Sequence, residues 1–172
     1  DDFEFIALLD TSSRPSDLSG GYFTEGISFF FADNTILEPN RRLVLVRDLE
    51  AFTARYGNLT QGKIAGEFGG RLSNDGEQLI LSKSGAIELI NLTYNDQAPW
   101  PIQADGNGNS MIFTGNVQAQ ATSWSAHAAI GGAPGMPDTA LSSGYEDWKT
   151  VNGITDDLSD SDRDGLSALA EY

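Results

Sequence analysis

Apolar residues in the first 130 positions come in short runs separated by turn-forming residues, a rhythm that predicts strands. Phe3–Leu9 is apolar on both alternating faces, which predicts a strand covered from two sides. Ser12–Ser19, with Pro15 and Asp17, reads as a polar connection leading through Gly20 and Gly21 into Tyr22–Thr24. Glu25-Gly26 predicts a hairpin turn into Ile27–Phe31. After the turn Glu38-Pro39-Asn40, the run Arg42–Val46 (RLVLV) has the continuous apolar character of a central strand. Asn74-Asp75-Gly76 turns the chain into Gln78–Ser82, and Ser84-Gly85 turns it again into Ala86–Tyr94. Pro99-Trp100-Pro101 must be irregular, because proline cannot donate to a ladder. The turn Asp105–Asn109 precedes Ser110–Phe113, the last strand expected.

One helix interrupts this rhythm. Asp48 suits an N-cap, Leu49, Phe52 and Tyr56 fall on one face, and Gly57 stands where a left-handed terminator belongs. The stripe is expected to be core. The fold class expected is therefore mainly β, a sandwich with one short helix. Gly131–Pro137 reads as the clearest break in pattern. The expected organisation is a β-sandwich over 1–135, a linker over 136–144 and a small helical unit over 145–172. In that unit Tyr145, Trp148 and Val151 recur at helical spacing.

Charge sharpens this division. The 172 residues carry a net charge of −15. Residues 138–172 hold nine acids against Lys149 and Arg163, a net of −7 in a short tail. A field of this sign disfavours nucleic acid and anionic lipid as partners. No apolar run approaches a membrane span, so no membrane insertion is expected. There is no cysteine, which excludes disulfides, thiolate metal sites and a cysteine nucleophile. With no initiator Met and no signal peptide, the sequence reads as a piece of a longer, processed chain.

The tail carries the strongest chemical pattern. Residues 160–171 (DSDRDGLSALAE) place Asp160, Asp162, Asp164, Gly165, Leu166 and Glu171 in the order of an EF-hand calcium loop. Calcium takes six to eight oxygens at about 2.3–2.6 Å, and a twelve-residue loop wraps that many around one ion. Asp160, Asp162 and Asp164 would contribute side-chain oxygens and Leu166 its carbonyl. Glu171 would close the site with both carboxylate oxygens. Ala168 has no side-chain oxygen, so a water is expected there. The expected cofactor is Ca2+. A second cation at Asp105, Asn107 and Asn109 is disfavoured against a plain turn, because no closing Glu follows.

The remaining chemistry is sparse. The single histidine, His127, lies near Ser123 and Ser125 without triad spacing and reads as a surface or partly packed residue. Glu67, Glu77 and Glu88 lie in or beside strands and turns and do not form a glycosidase pair. The chain is not expected to be an enzyme. Tyr22, Phe23, Phe29, Phe30, Phe31 and Trp100 are candidates for either a sandwich core or a sugar platform, and exposure decides between them.

Taken together, FIALLDTSSRPSDLSGGYFTEGISFFF, RLVLVRDLEAFTARYG, LSNDGEQLILSKSGAIELINLTYNDQAPWP, ADGNGNS and the closing WSAHAAIGGAPG resemble a bacterial lamin-tail domain over about residues 3–135. The resemblance implies an immunoglobulin-like β-sandwich without an activity of its own, carried on a secreted bacterial protein. Residues 160–172 resemble the calcium-binding C-terminal segments of such proteins, with Arg163 where a small residue is commoner. The function expected is a non-catalytic extracellular structural, adhesive or assembly module, with other protein subunits or surface glycans as partners. The alternative is a carbohydrate-binding module appended to a secreted hydrolase.

Overall fold

The structure is a computed structural model and describes residues 2–59, 62–85 and 87–140. Among the described residues, ten strands and one α-helix follow in order: β1 (Phe5–Leu9), β2 (Ser16–Asp17), β3 (Tyr22–Glu25), β4 (Ile36–Leu37), β5 (Arg42–Val46), α1 (Leu49–Tyr56), β6 (Gly62–Glu67), β7 (Gly76–Lys83), β8 (Ile87–Asn95), β9 (Asn109–Phe113) and β10 (Trp124–Ile130). The protein is mainly β and sandwich-like. One sheet has the order β1-β5-β6 and another β3-β7-β8, accompanied by the pairs β2-β4 and β9-β10.

The apolar run of β5 explains the layering. Leu43 and Leu45 pack with Leu8, Phe23, Phe31, Leu37, Phe68 and Leu81 in the main core between the two three-stranded sheets. Val44 and Val46 point the other way and pack with Phe52 of α1. A strand sandwiched between a sheet and a helix needs apolar side chains on both faces, so no alternation appears in its sequence. β1 shares this arrangement through Phe5, whose ring meets Phe52 and Tyr56 edge-on at 6.0 and 5.8 Å.

The helix begins as its sequence predicts. Asp48 accepts a hydrogen bond from the Ala51 N–H at 2.8 Å, and Gly57, at φ 67°, donates to the Thr53 carbonyl. The hydrophobic pattern does not predict the next strand, β6, which returns parallel to β5. A parallel pair needs a crossover of this kind, and α1 supplies it.

Ile27–Phe31 does not form the regular strand its apolar run predicts. It makes isolated bridges, Ser28 to Gly69 and Phe30 to Tyr22. Its main chain serves two neighbours in turn, pairing Ser28 with Gly69 and Phe29 and Phe31 with the β3 side. The segment is thereby bent and buries Ile27 and Phe31. β10 is a further strand beyond the last one expected, antiparallel to β9 with an irregularity after Ala126.

Residues 131–140 run back along the body. The Tyr56 hydroxyl donates to the Gly131 carbonyl at 2.7 Å, Pro134 and Gly135 are buried, and Asp138 pairs with Arg42 at 3.0 Å. Gly132 is required by close approach, since a Cβ there would run into the Ser110 side chain and reach the Phe5 ring.

Candidate functional site

The proposed calcium ligands Asp160, Asp162, Asp164, Leu166 and Glu171 lie outside the described residues. Among the described residues no group of three or more His, Asp or Glu side chains is placed to hold a metal ion. At the start of β9, the Asn109 side-chain amide donates to the His127 carbonyl at 2.8 Å, so that side chain ties β9 to β10.

His127 is not at the surface. It is 3% exposed, its Nδ1 accepts the Ala129 N–H at 2.9 Å, and its Nε2 is buried without a hydrogen-bond partner. With Nδ1 accepting, the ring proton sits on Nε2. This side chain organises the β10 bulge and does not face solvent. Its alternating small neighbours, Ala126 and Ala128, hide both the strand and the burial in the sequence.

Three acids near the sheets bond main chain, whereas Glu88 accepts from the Asn91 side chain at 2.9 Å. Glu4 accepts the Leu72 N–H at 2.9 Å, Glu67 the Leu49 N–H at 2.7 Å, and Glu77 the Ser73 N–H at 2.8 Å. The Tyr94 hydroxyl shares its one proton between the Ser73 carbonyl at 2.8 Å and Glu77 at 3.0 Å. Burial pushes the Tyr94 pKa well up, and the adjoining Glu77 carboxylate adds to the rise. Asp17 is held down to about 2 by the Ser19 hydroxyl and N–H, and then by the Lys83 ammonium, 3.2 Å away.

The candidate aromatics divide by exposure. Phe23 and Phe31 are core, and Phe29 packs against them. Tyr22 and Phe30, bridge partners, are 39% and 64% exposed. Trp100 is half-buried against Trp124, which also meets Phe113 at 5.2 Å.

One concavity among the described residues is a cleft of about 1190 Å3. Every residue of β1 and all of β9 line it, so it runs along both strands and not across one face. Neither strand has a second neighbour: β1 pairs with β5 alone and β9 with β10 alone, among the described residues. The register fixes which main-chain groups are left. Glu4 and Asp10 bond toward β5, so alternation turns Ile6 and Leu8 the same way and leaves Phe5, Ala7 and Leu9 facing outward. The Thr114 N–H bonds Ser123 of the β10 side, so Met111 and Phe113 face outward from β9.

At the end of β1 stands Asp10, also in the cleft lining and 5% exposed. Its Oδ1 accepts the Ser12 N–H at 2.7 Å, whereas Oδ2 is buried and has no partner. Ser12 and then Ser16 lower its pKa, but the Ser16 groups close no hydrogen bond on Oδ2.

No protein-family profile matches the chain, and no curated protein matches it. The site has to be read from its own chemistry.

Proposed function

We propose that the chain is a non-catalytic structural, adhesive or assembly module of a larger secreted protein. In this reading residues 1–135 form an immunoglobulin-like, lamin-tail-like sandwich, and residues 145–172 form an EF-hand-like segment that binds one calcium ion. The non-catalytic reading rests on how the described acids are used. Glu4, Glu67 and Glu77 each accept a main-chain N–H, and the one histidine is buried and anchors a bulge. Groups held this way tie loops to the sheets.

The calcium reading rests on the donor set. Asp160, Asp162 and Asp164, the Leu166 carbonyl and the Glu171 carboxylate offer hard oxygens alone, which a hard divalent cation takes. Bringing the four carboxylates onto one ion offsets their mutual repulsion. Extracellular calcium modules bind at about 10⁻⁴–10⁻³ M, so such a site fills outside a cell. Calorimetric titration of calcium into chelator-stripped protein is expected to show about one ion per chain, lost in Asp160→Ala/Asp164→Ala. No binding by the parent protein overturns the reading.

A second reading is favoured by one observation. Tyr22 and Phe30 lie side by side and exposed on the outer side of β3, as a glycan platform requires. Retention on insoluble polysaccharide that survives high salt and is lost in Phe30→Ala would favour a carbohydrate-binding module.

A further inference from the structure

We propose that the cleft between β1 and β9 is a strand-acceptor site. It takes an extended peptide segment of another polypeptide, apolar at alternate positions and bearing a Lys or Arg toward Asp10. This site rests on the assembly reading of the chain and gives that assembly a surface and a kind of partner.

Three independent features carry it. The first is the pair of edges on one cleft that are unpaired among the described residues. Phe5, Ala7 and Leu9 on β1, with Met111 and Phe113 on β9, present N–H and C=O groups that an added strand can pair with. The second is size and lining. At about 1190 Å3 the cleft exceeds the usual 300–1,000 Å3 of a small-molecule pocket. Phe3, Leu9 and Leu89 line it with exposed apolar surface, so alternate side chains of an inserted strand find apolar partners. The third is Asp10, whose buried Oδ2 is an acceptor without a donor at the end of the β1 edge. A buried, unpaired carboxylate oxygen is costly, and a Lys or Arg carried in by the partner would relieve it. The net charge of −15 steers a basic segment in the same sense.

Edge chemistry gives a sharp test. The Ala7 N–H faces away from β5, so Ala7→Pro removes an edge donor without breaking the β1–β5 ladder. Met111→Pro does the same on β9. A random peptide library displayed on phage is selected against the full chain in calcium-containing buffer, and the enriched peptides are synthesised and titrated. The expected result is enrichment of sequences alternating apolar and polar residues with a terminal Lys or Arg. Ala7→Pro and Met111→Pro should each weaken binding about tenfold, the effect of losing one to two main-chain hydrogen bonds. Asp10→Asn should weaken only the peptides that carry the basic residue.

Thermal melts of each variant identify any that fails to fold, and the two proline variants act on separate strands. Three outcomes overturn the proposal. They are no enrichment over the starting library, enriched peptides that bind both proline variants as tightly as the parent, and self-association of the parent that either proline variant abolishes, which would make the occupant a second copy. Calcium titration on the same variants is independent of the edges, so failure here and failure of the module reading are separable.

Discussion

Individual side chains here act mostly by closing main-chain hydrogen bonds, and their removal is predictable. Asp48 caps α1 through the Ala51 N–H, and Asp48→Ala should cost about 1 kcal/mol in denaturant unfolding. Tyr94 of β8 is tied to Glu77 of β7 and to the Ser73 carbonyl in the loop before it. Tyr94→Phe should cost about 1–2 kcal/mol, because it removes both hydrogen bonds and keeps the ring. The raised pKa of Tyr94 means its stabilising effect is complete below the ordinary value of 10.0 and fades as pH rises above it.

Asp17 works in the opposite direction. Its carboxyl is lowered from 3.8 to about 2, so the unfolded chain binds more protons in that window. Its contribution is present above 3.8 and is lost as pH falls toward 2. Thermal melts across that window should therefore show a shallower acid loss for Asp17→Asn than for the parent. An unchanged slope would mean that the Ser19 and Lys83 contacts are too solvated to matter.

At the scale of elements, the legible part of the fold is the part written in local chemistry. β5 and α1 match their patterns because an apolar run, an N-cap and a terminal glycine are carried by adjacent residues. β6 and β10 are not legible. Gly62–Glu67 is half glycine and alanine, and Trp124–Ile130 carries three alanines, so neither announces itself by propensity. Both are made strands by partners distant in sequence. The bent Ile27–Phe31 departs from its pattern for a related reason, since apolar content alone does not reveal a main chain divided between two neighbours. The β7–β8 hairpin offers a direct test. Gly76 has φ 96°, and a Cβ there would collide with the Tyr94 carbonyl. Gly76→Ala should destabilise the fold by about 1–3 kcal/mol on strain alone, read as a lower melting temperature.

At the largest scale, a two-layer β scaffold with a helix on its outer face supports a cleft lined in part by β1 and β9, whose outer edges are unpaired among the described residues. That cleft is invisible in the sequence because it depends on which strands are left without neighbours. The proposed calcium loop is read from residue spacing alone. A ligand that binds only the folded form stabilises it by about 2.7 kcal/mol at a hundredfold excess over its dissociation constant. Calcium is thus expected to raise the thermal stability of the segment that contains 160–171, and a chelator to reverse it.

Amide spectra of the full, isotopically labelled chain during a calcium titration test the account most directly. The prediction is saturable shifts centred on Asp160–Glu171, with the amides of β1, β5 and β7 unmoved. Calcium that leaves residues 160–171 unchanged, or shifts that centre on the sheets instead, would contradict it.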